Sequence, residues 1–375
     1  VRDAWGAGAY GIAALVGLLS GVWPFAKLGL LLFAWWAPPQ RLSVEARGRL
    51  LDVLDALGKY SLIDSWLAII ALAAYRLGWH SKAEAASLAV ESVPHGPFFA
   101  FVLAAVLSLA LGHAASECHR WAVRAEGASG RLSLPSDGTP LAAATEPRPL
   151  GTTGLRRWLT AGLALTAGAV AAGACAGSWQ MAMSGAVAEL LLSPEDAISR
   201  FSLVSLGMGI TSDNPADLGL SMVQFVFFMF TLVLPLVVVA LLLFLCHAPL
   251  GRPAREAVLH VCKVLDAWAS FDVFALAVAV SHFEFGLLAE FLVYHDNLST
   301  VCGWVRDHLH TECFHIECSL TSGFALLAAA GLLSHAVPKA ALRLCEAAMD
   351  EEEEAVDLQL DAADIEAEAV PSPAN

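Results

Sequence analysis

Apolar positions along this chain fall in long blocks. Seven stretches of about 20 apolar residues stand out, roughly 10–36, 57–76, 97–115, 158–177, 221–246, 265–284 and 319–337. A bilayer interior offers no partner for a free backbone N–H or C=O, so each block predicts a membrane-crossing helix. Pro24 and Pro235 fall inside the first and fifth blocks. Proline is tolerated at such sites when a neighbouring group satisfies the carbonyl it frees, and both are read as helix-kink positions. The expected fold class is an all-α polytopic membrane protein.

Composition agrees with the pattern. Hydrophobic residues make up 57% of 375, charged residues 15%, and the mean hydropathy is +0.64. A soluble domain of this length would not look like this, and a net charge of −15 argues against nucleic acid as a partner.

The positive charges predict an orientation. Segments 37–60, 118–157, 247–268 and 338–375 hold fifteen Lys and Arg, whereas 79–96, 178–220 and 285–318 hold three. This bias places the first set, including the linker and the C-terminal tail, in the cytoplasm. Glu346 to Asn375 carries eleven acids and no base. That composition predicts a disordered acidic tail.

The chain also matches itself. Shifted by 208 residues, Arg47 falls on Arg255, Leu51 on Leu259, Val53 on Val261, Leu57 on Leu265, Tyr60 on Trp268 and Asp64 on Asp272. Both copies read as a short amphipathic helix leading into a membrane helix, and a proline-bearing span precedes each. The expected organisation is membrane module 1 over 1–123, a flexible linker rich in Gly, Ser, Thr and Pro over 124–150, module 2 over 151–345 and the tail over 346–375. Module 2 has four spans and module 1 shows three. The expectation is two related four-helix modules, the first lacking its opening span.

Trp5, Gly8, Tyr10, Pro24 and Lys27, followed by Tyr60, Ser61, Leu62, Asp64 and Trp66, resemble the paraquat-inducible protein A family. In the second module Trp268, Asp272, Val273 and Phe274 repeat the second half of that pattern. The resemblance covers most of residues 5–337. It implies a membrane component of a phospholipid-shuttling system, working with membrane lipids and with partner proteins that build a hydrophobic tunnel. Three departures stand beside it. The family's paired Cys-x-x-Cys ribbon has no counterpart in the linker region, which offers only Cys118; the lysine of Pro-x-x-Lys is Val238 in module 2; and the serine of Trp-Ser is Ala269.

Charges within apolar blocks are the candidate binding residues. Lys27 lies about 14 Å and Asp64 about 10 Å along their helices from the same face. The expectation is a pair, joined by Ser61 one turn before Asp64, because an intramembrane charge needs a partner or a polar cavity. The bland alternative has Lys27 reaching to the interface and Asp64 capping a helix. Asp272, with no lysine in the matching place, is expected to be protonated or paired with Ser270. Because only module 1 keeps the cation, a single phospholipid-headgroup site is expected near Lys27 and Ser61.

The loop 285–318 holds Cys302, Cys313 and Cys318. One disulfide, three free thiols and a metal site are the alternatives, and the spacing fits no standard zinc pattern. Asn297 begins an Asn-Leu-Ser glycosylation sequon on the expected outer side. There is no phosphate loop, no HExxH and no nucleophile elbow, so no catalytic residue, metal or cofactor is expected. The leading functional expectation is lipid transport or membrane homeostasis. A solute or proton-coupled carrier and a structural membrane scaffold are the alternatives.

Overall fold

The computed structural model describes residues 5–6, 8, 10–74, 77–80, 87–90, 94–131, 153–191, 197–212, 215–293, 302, 305, 307–308, 313 and 315–368. The molecule is predominantly helical, and six of its helices are long and apolar enough to cross a membrane. The all-α polytopic expectation is borne out at that level. Asn297 and most of the linker lie outside the described residues.

The first half opens with α1 (Tyr10–Val16), a π segment over Gly17–Val22 and α2 (Trp23–Trp36). Helix α3 (Val44–Gly58) starts where the Ser43 hydroxyl accepts the Ala46 N–H at 3.2 Å, a side-chain cap for a free helix-end donor. One 3₁₀ turn, Lys59–Leu62, joins it to α4 (Ile63–Ala74). At 12 residues α4 is about 18 Å long, short of a bilayer core, and it is not among the six candidate crossings. A hairpin of β1 (Leu77–His80) and β2 (Ser87–Val90) follows where the second apolar block was expected to end. Helix α5 (Gly96–Arg131) then runs on into what composition marks as linker.

The second half begins with α6 (Thr153–Cys175). Next come β3 (Trp179–Ser184), α7 (Ala186–Leu191), β4 (Ile198–Phe201) and α8 (Leu203–Gly209). A long span is built from α9 (Leu218–Phe228), a π segment over Met229–Val233 and α10 (Leu234–His247). Amphipathic α11 (Arg252–Trp268) breaks at Ala269–Ser270 into α12 (Phe271–Val293). The candidate crossing Arg252–Phe283 includes both, but α11 carries Arg255, Glu256, Lys263 and Asp266, so the apolar part is α12. Strand β5 (His315–Leu320) and α13 (Ser322–Glu368) complete the order.

The acidic segment differs from expectation. Helix α13 continues through Glu368, where composition predicts disorder. Glu, Ala and Leu are strong helix formers, and continuing a helix that packing has already nucleated needs no new nucleus.

Both prolines sit directly after a π segment, at the first turn of α2 and of α10. A proline has no N–H to donate, so the ladder slips before it. At the second site Leu234 N–H reaches back to the Met229 carbonyl, and Pro235 cannot donate. The Phe230 carbonyl left over accepts the Ser270 N–H at 2.9 Å, from the break between α11 and α12. This is the satisfaction of a freed carbonyl that an intramembrane proline requires.

The strands were not anticipated. β3 pairs with both β4 and β5 in an antiparallel sheet of order β4-β3-β5, drawn from the two loops expected outside. Trp179 is buried on it, 5.0 Å from the Phe201 ring. The structure joins Cys302 to Cys313 and leaves Cys318 a free, buried thiol on β5. Burial, then the nearby Glu317 carboxylate, pushes that thiol up to about 12, so it stays protonated at neutral pH.

One apolar core spans both halves. Trp66 of α4 meets Phe227 of α9 edge-on at 5.3 Å, and Phe227 meets Phe274 of α12 at 5.5 Å. A second cluster, from Leu163, Val238, Leu242, Cys262 and Ala341, holds α6, α10, α11 and α13 together. Val238, standing where module 1 has its lysine, is therefore an ordinary core residue.

Candidate functional site

The breaks that follow α3 and α11 come together in the interior. Lys59, on the 3₁₀ turn of the first half, places Nζ 2.7 Å from Asp272 Oδ2 at the start of α12. Its ammonium also donates to the Ala269 carbonyl at 3.3 Å and lies 5.9 Å from the Tyr60 ring centre. Lys59 is 5% exposed and the Asp272 side chain 14%, so this is a largely buried pair rather than a surface bridge.

The second partner of Asp272 comes from the last long helix. His335 Nδ1 sits 2.8 Å from Asp272 Oδ2, and Lys339 Nζ lies 3.1 Å from His335 Nε2. The neutral imidazole with its proton on Nδ1 satisfies both contacts, since Nε2 is then free to accept from the ammonium. Asp266, one turn before the break, is close enough for its charge to act on Lys59, Lys339 and Asp272. Two ammoniums face two carboxylates around a histidine, a balanced set drawn from both halves.

Asp272 was therefore misplaced by sequence reasoning. Its lysine exists, but it comes from the other half and from a segment counted as cytoplasmic. Ser270 contributes its backbone N–H to Phe230, while its hydroxyl has no partner among the described residues. The spacing of His335 and Lys339, four apart on one helix face, was the available signal for the rest of the network.

The expected Lys27–Asp64 pair is not made. Lys27 is 1% exposed, and its Nζ donates to the Ser108 carbonyl of α5 at 3.0 Å. Glycines make the room: a Cβ on Gly58 would stand 2.9 Å from that Nζ, and one on Gly112 would stand 3.3 Å from it. Ser61 turns its hydroxyl to the Gly58 carbonyl at 2.7 Å. Lysine and serine are thus both enclosed by protein, which corrects the expectation of a headgroup site beside them. The helix-start alternative for Asp64 fails too: neither carboxylate oxygen has a partner among the described residues, although the residue is only 7% exposed.

A histidine within a long helix of each half faces an aspartate. His113 of α5 reaches Asp55 of α3 at 3.2 Å, as His335 of α13 reaches Asp272. Among the described residues no group of three or more His, Cys, Asp or Glu could hold a metal ion.

Comparison with known proteins adds one finding. Residues 216–299 match the family model of paraquat-inducible protein A. The matched stretch is less than a quarter of the chain, and it contains Pro235, Trp268, Ser270 and Asp272. The resemblance drawn from motif residues is thereby supported by an independent match over the second half. No curated protein and no solved structure matches the chain.

Proposed function

We propose that this chain, with the paraquat-inducible protein A signature over 216–299, is an integral membrane component of a phospholipid-transport or membrane-homeostasis system. Membrane lipids are its ligands in this reading. A tunnel-forming protein is its expected partner, and it catalyses no reaction of its own. The linker and the C-terminal segment lie on the cytoplasmic side, where the lysines and arginines concentrate.

The observation that carries the reading is the match itself, lying on a helical membrane scaffold in which the charges gathered at the two helix breaks neutralise one another. A carrier of polar solutes needs free polar groups around an enclosed cavity. Here Lys59, Asp272, His335 and Lys339 satisfy each other. Large apolar side chains such as Phe25, Trp36, Phe225 and Phe283 face outward, as lipid contact requires.

A proton-coupled carrier is the second reading, and Asp64 favours it. A carboxylic acid buried without a partner is a natural proton-binding group. The deciding experiment is mass spectrometry of the protein purified from its native membrane, with proton flux measured in reconstituted vesicles. Retained phospholipid without pH-driven flux supports lipid handling. Flux that collapses in Asp64→Asn, with no retained lipid, would replace it by the carrier reading.

A further inference from the structure

The first residue of one candidate crossing and the last residue of another border the same groove. Thr153 opens the crossing Thr153–Cys175, and His247 closes Leu218–His247. Between them lies a surface groove of about 430 Å³, lined by Thr153, Arg156, Arg157, Thr160 and His247, with Ala161 and Ala164 further along α6. Its place at the ends of two spans puts it at the boundary between hydrocarbon and headgroups. Trp158, beside the arginines and 81% exposed, fits the aromatic belt found at that depth.

The polar side chains there are prearranged. The Thr160 hydroxyl donates to the Arg156 carbonyl at 2.7 Å and lies 2.9 Å from His247 Nε2. Arg156 Nη2 reaches Thr153 Oγ1 at 3.5 Å, and Arg156 Nε is buried with no partner among the described residues. Among the same residues neither guanidinium has a carboxylate partner, and no acidic side chain lines the groove. Two cations that could have been paired elsewhere are instead held beside a concave, water-accessible surface.

We infer that this groove is a binding site for the phosphate of an anionic phospholipid. Guanidinium groups bind phosphate oxygens through paired N–H donors, and threonine hydroxyls add neutral ones. Ala161 and Ala164 continue the groove along α6, reaching about 16 Å past Thr153, where the glycerol and the start of the acyl chains would lie. A zwitterionic choline headgroup would bring its own cation against Arg156 and Arg157, so the occupant carries net negative charge. The site stands apart from the ionic seam and is independent of whether the protein moves lipid. A free phosphate ion shares the headgroup's chemistry, but it leaves the alanine wall unused.

The test uses the full chain in nanodiscs of phosphatidylcholine containing phosphatidylglycerol, with retained lipid counted by native mass spectrometry. Wild type should retain phosphatidylglycerol in preference to phosphatidylcholine. Arg156→Gln with Arg157→Gln should reduce that preference roughly thirtyfold, from the loss of two surface-charge contacts. Arg157→Glu alone acts at an exposed side chain with no ion pair among the described residues, so it leaves the fold intact and should reduce the preference as well. Arg41→Gln with Arg49→Gln, exposed cations outside the groove, should not. Unchanged preference in both groove variants, or no preference in wild type, would overturn the proposal. Displacement of the lipid by millimolar inorganic phosphate would likewise overturn it, assigning the groove to a free anion. Lipid bound in the groove without any transport would leave the inference standing and sink the transport reading alone.

Discussion

Asp64 and Asp272 stand 208 residues apart at the same point of two similar sequences, and their surroundings are opposite. Each lies in the first turn of a helix that follows an amphipathic one. Asp272 holds Lys59 at 2.7 Å and His335 at 2.8 Å. Asp64 holds nothing among the described residues. The lysine that serves the second half belongs to the first, and the first half's own intramembrane lysine is spent on a backbone carbonyl. A repeated motif in a membrane does not imply a repeated network, because a buried charge is stabilised by whichever opposite charge the packing delivers.

The largest expected effect comes from dividing the seam. Removing one partner of a buried pair strands the other, at a cost of about 3–5 kcal/mol. Lys59→Met and Asp272→Asn should each destabilise the protein by that order, and the double variant should cost less than the two together. Equilibrium unfolding by SDS titration in mixed micelles measures all three. Additive losses would mean that the ionic contact between the halves contributes nothing.

Asp64 should respond with the opposite sign. A buried polar group without partners carries a desolvation penalty of about 1–3 kcal/mol. Asp64→Leu should therefore raise stability in the same titration, while Asp272→Leu lowers it. If the two aspartates fall together, Asp64 has a partner after all and the contrast disappears. A stabilised variant that has also lost activity would identify the penalty as the cost of a functional site.

The contrast also shows how far the sequence could be read. Six of the seven expected span positions followed from apolar length, the block 57–76 being the exception, and the amphipathic-to-apolar pattern at Arg47–Asp64 and Arg255–Asp272 located the two breaks. The motif residues by themselves pointed to the family. Lys59 was misjudged because hydropathy sees a cation beside a cytoplasmic segment, whereas burial depends on how α4 packs against α12. The pairing of Lys27 with Asp64 failed for the same reason: residue counts give depth along two helices, but not rotation about their axes. Strands β3, β4 and β5 were hidden because each is at most six residues long, and β5 pairs with a strand more than a hundred residues before it.

A smaller effect is expected at Lys27. A hydrogen bond from a charged donor contributes about 1.5–3 kcal/mol, and the Ser108 carbonyl lies in a helix that already supplies it with a partner. Methionine fills the same channel past Gly58 and Gly112, so Lys27→Met should cost about 1–2 kcal/mol, less than either seam variant. Combined with Asp64→Asn, the effects should add within about 0.5 kcal/mol, because the two side chains do not touch. Coupling above that would restore the pair that the geometry denies.

The smallest effect should come from Pro235→Ala. Alanine returns an N–H that can reach the Thr231 or Phe230 carbonyl, a gain of about 0.5–1.5 kcal/mol. Loss of proline's restraint on the unfolded chain removes about 0.4–1 kcal/mol. The two nearly cancel, so stability should shift by less than about 1 kcal/mol. The Phe230 carbonyl has a second lone pair, and the Ser270 N–H at 2.9 Å can remain on it. Trp268, 5.5 Å from the Phe230 ring, reports on this contact. In a variant that keeps only this tryptophan, the emission maximum should not move on Pro235→Ala. A loss comparable to that of Lys59→Met, with a red-shifted Trp268, would show that the proline itself holds the π segment against the break at Ser270. The freed carbonyl would then be a consequence of the packing between α10 and α12 rather than its anchor.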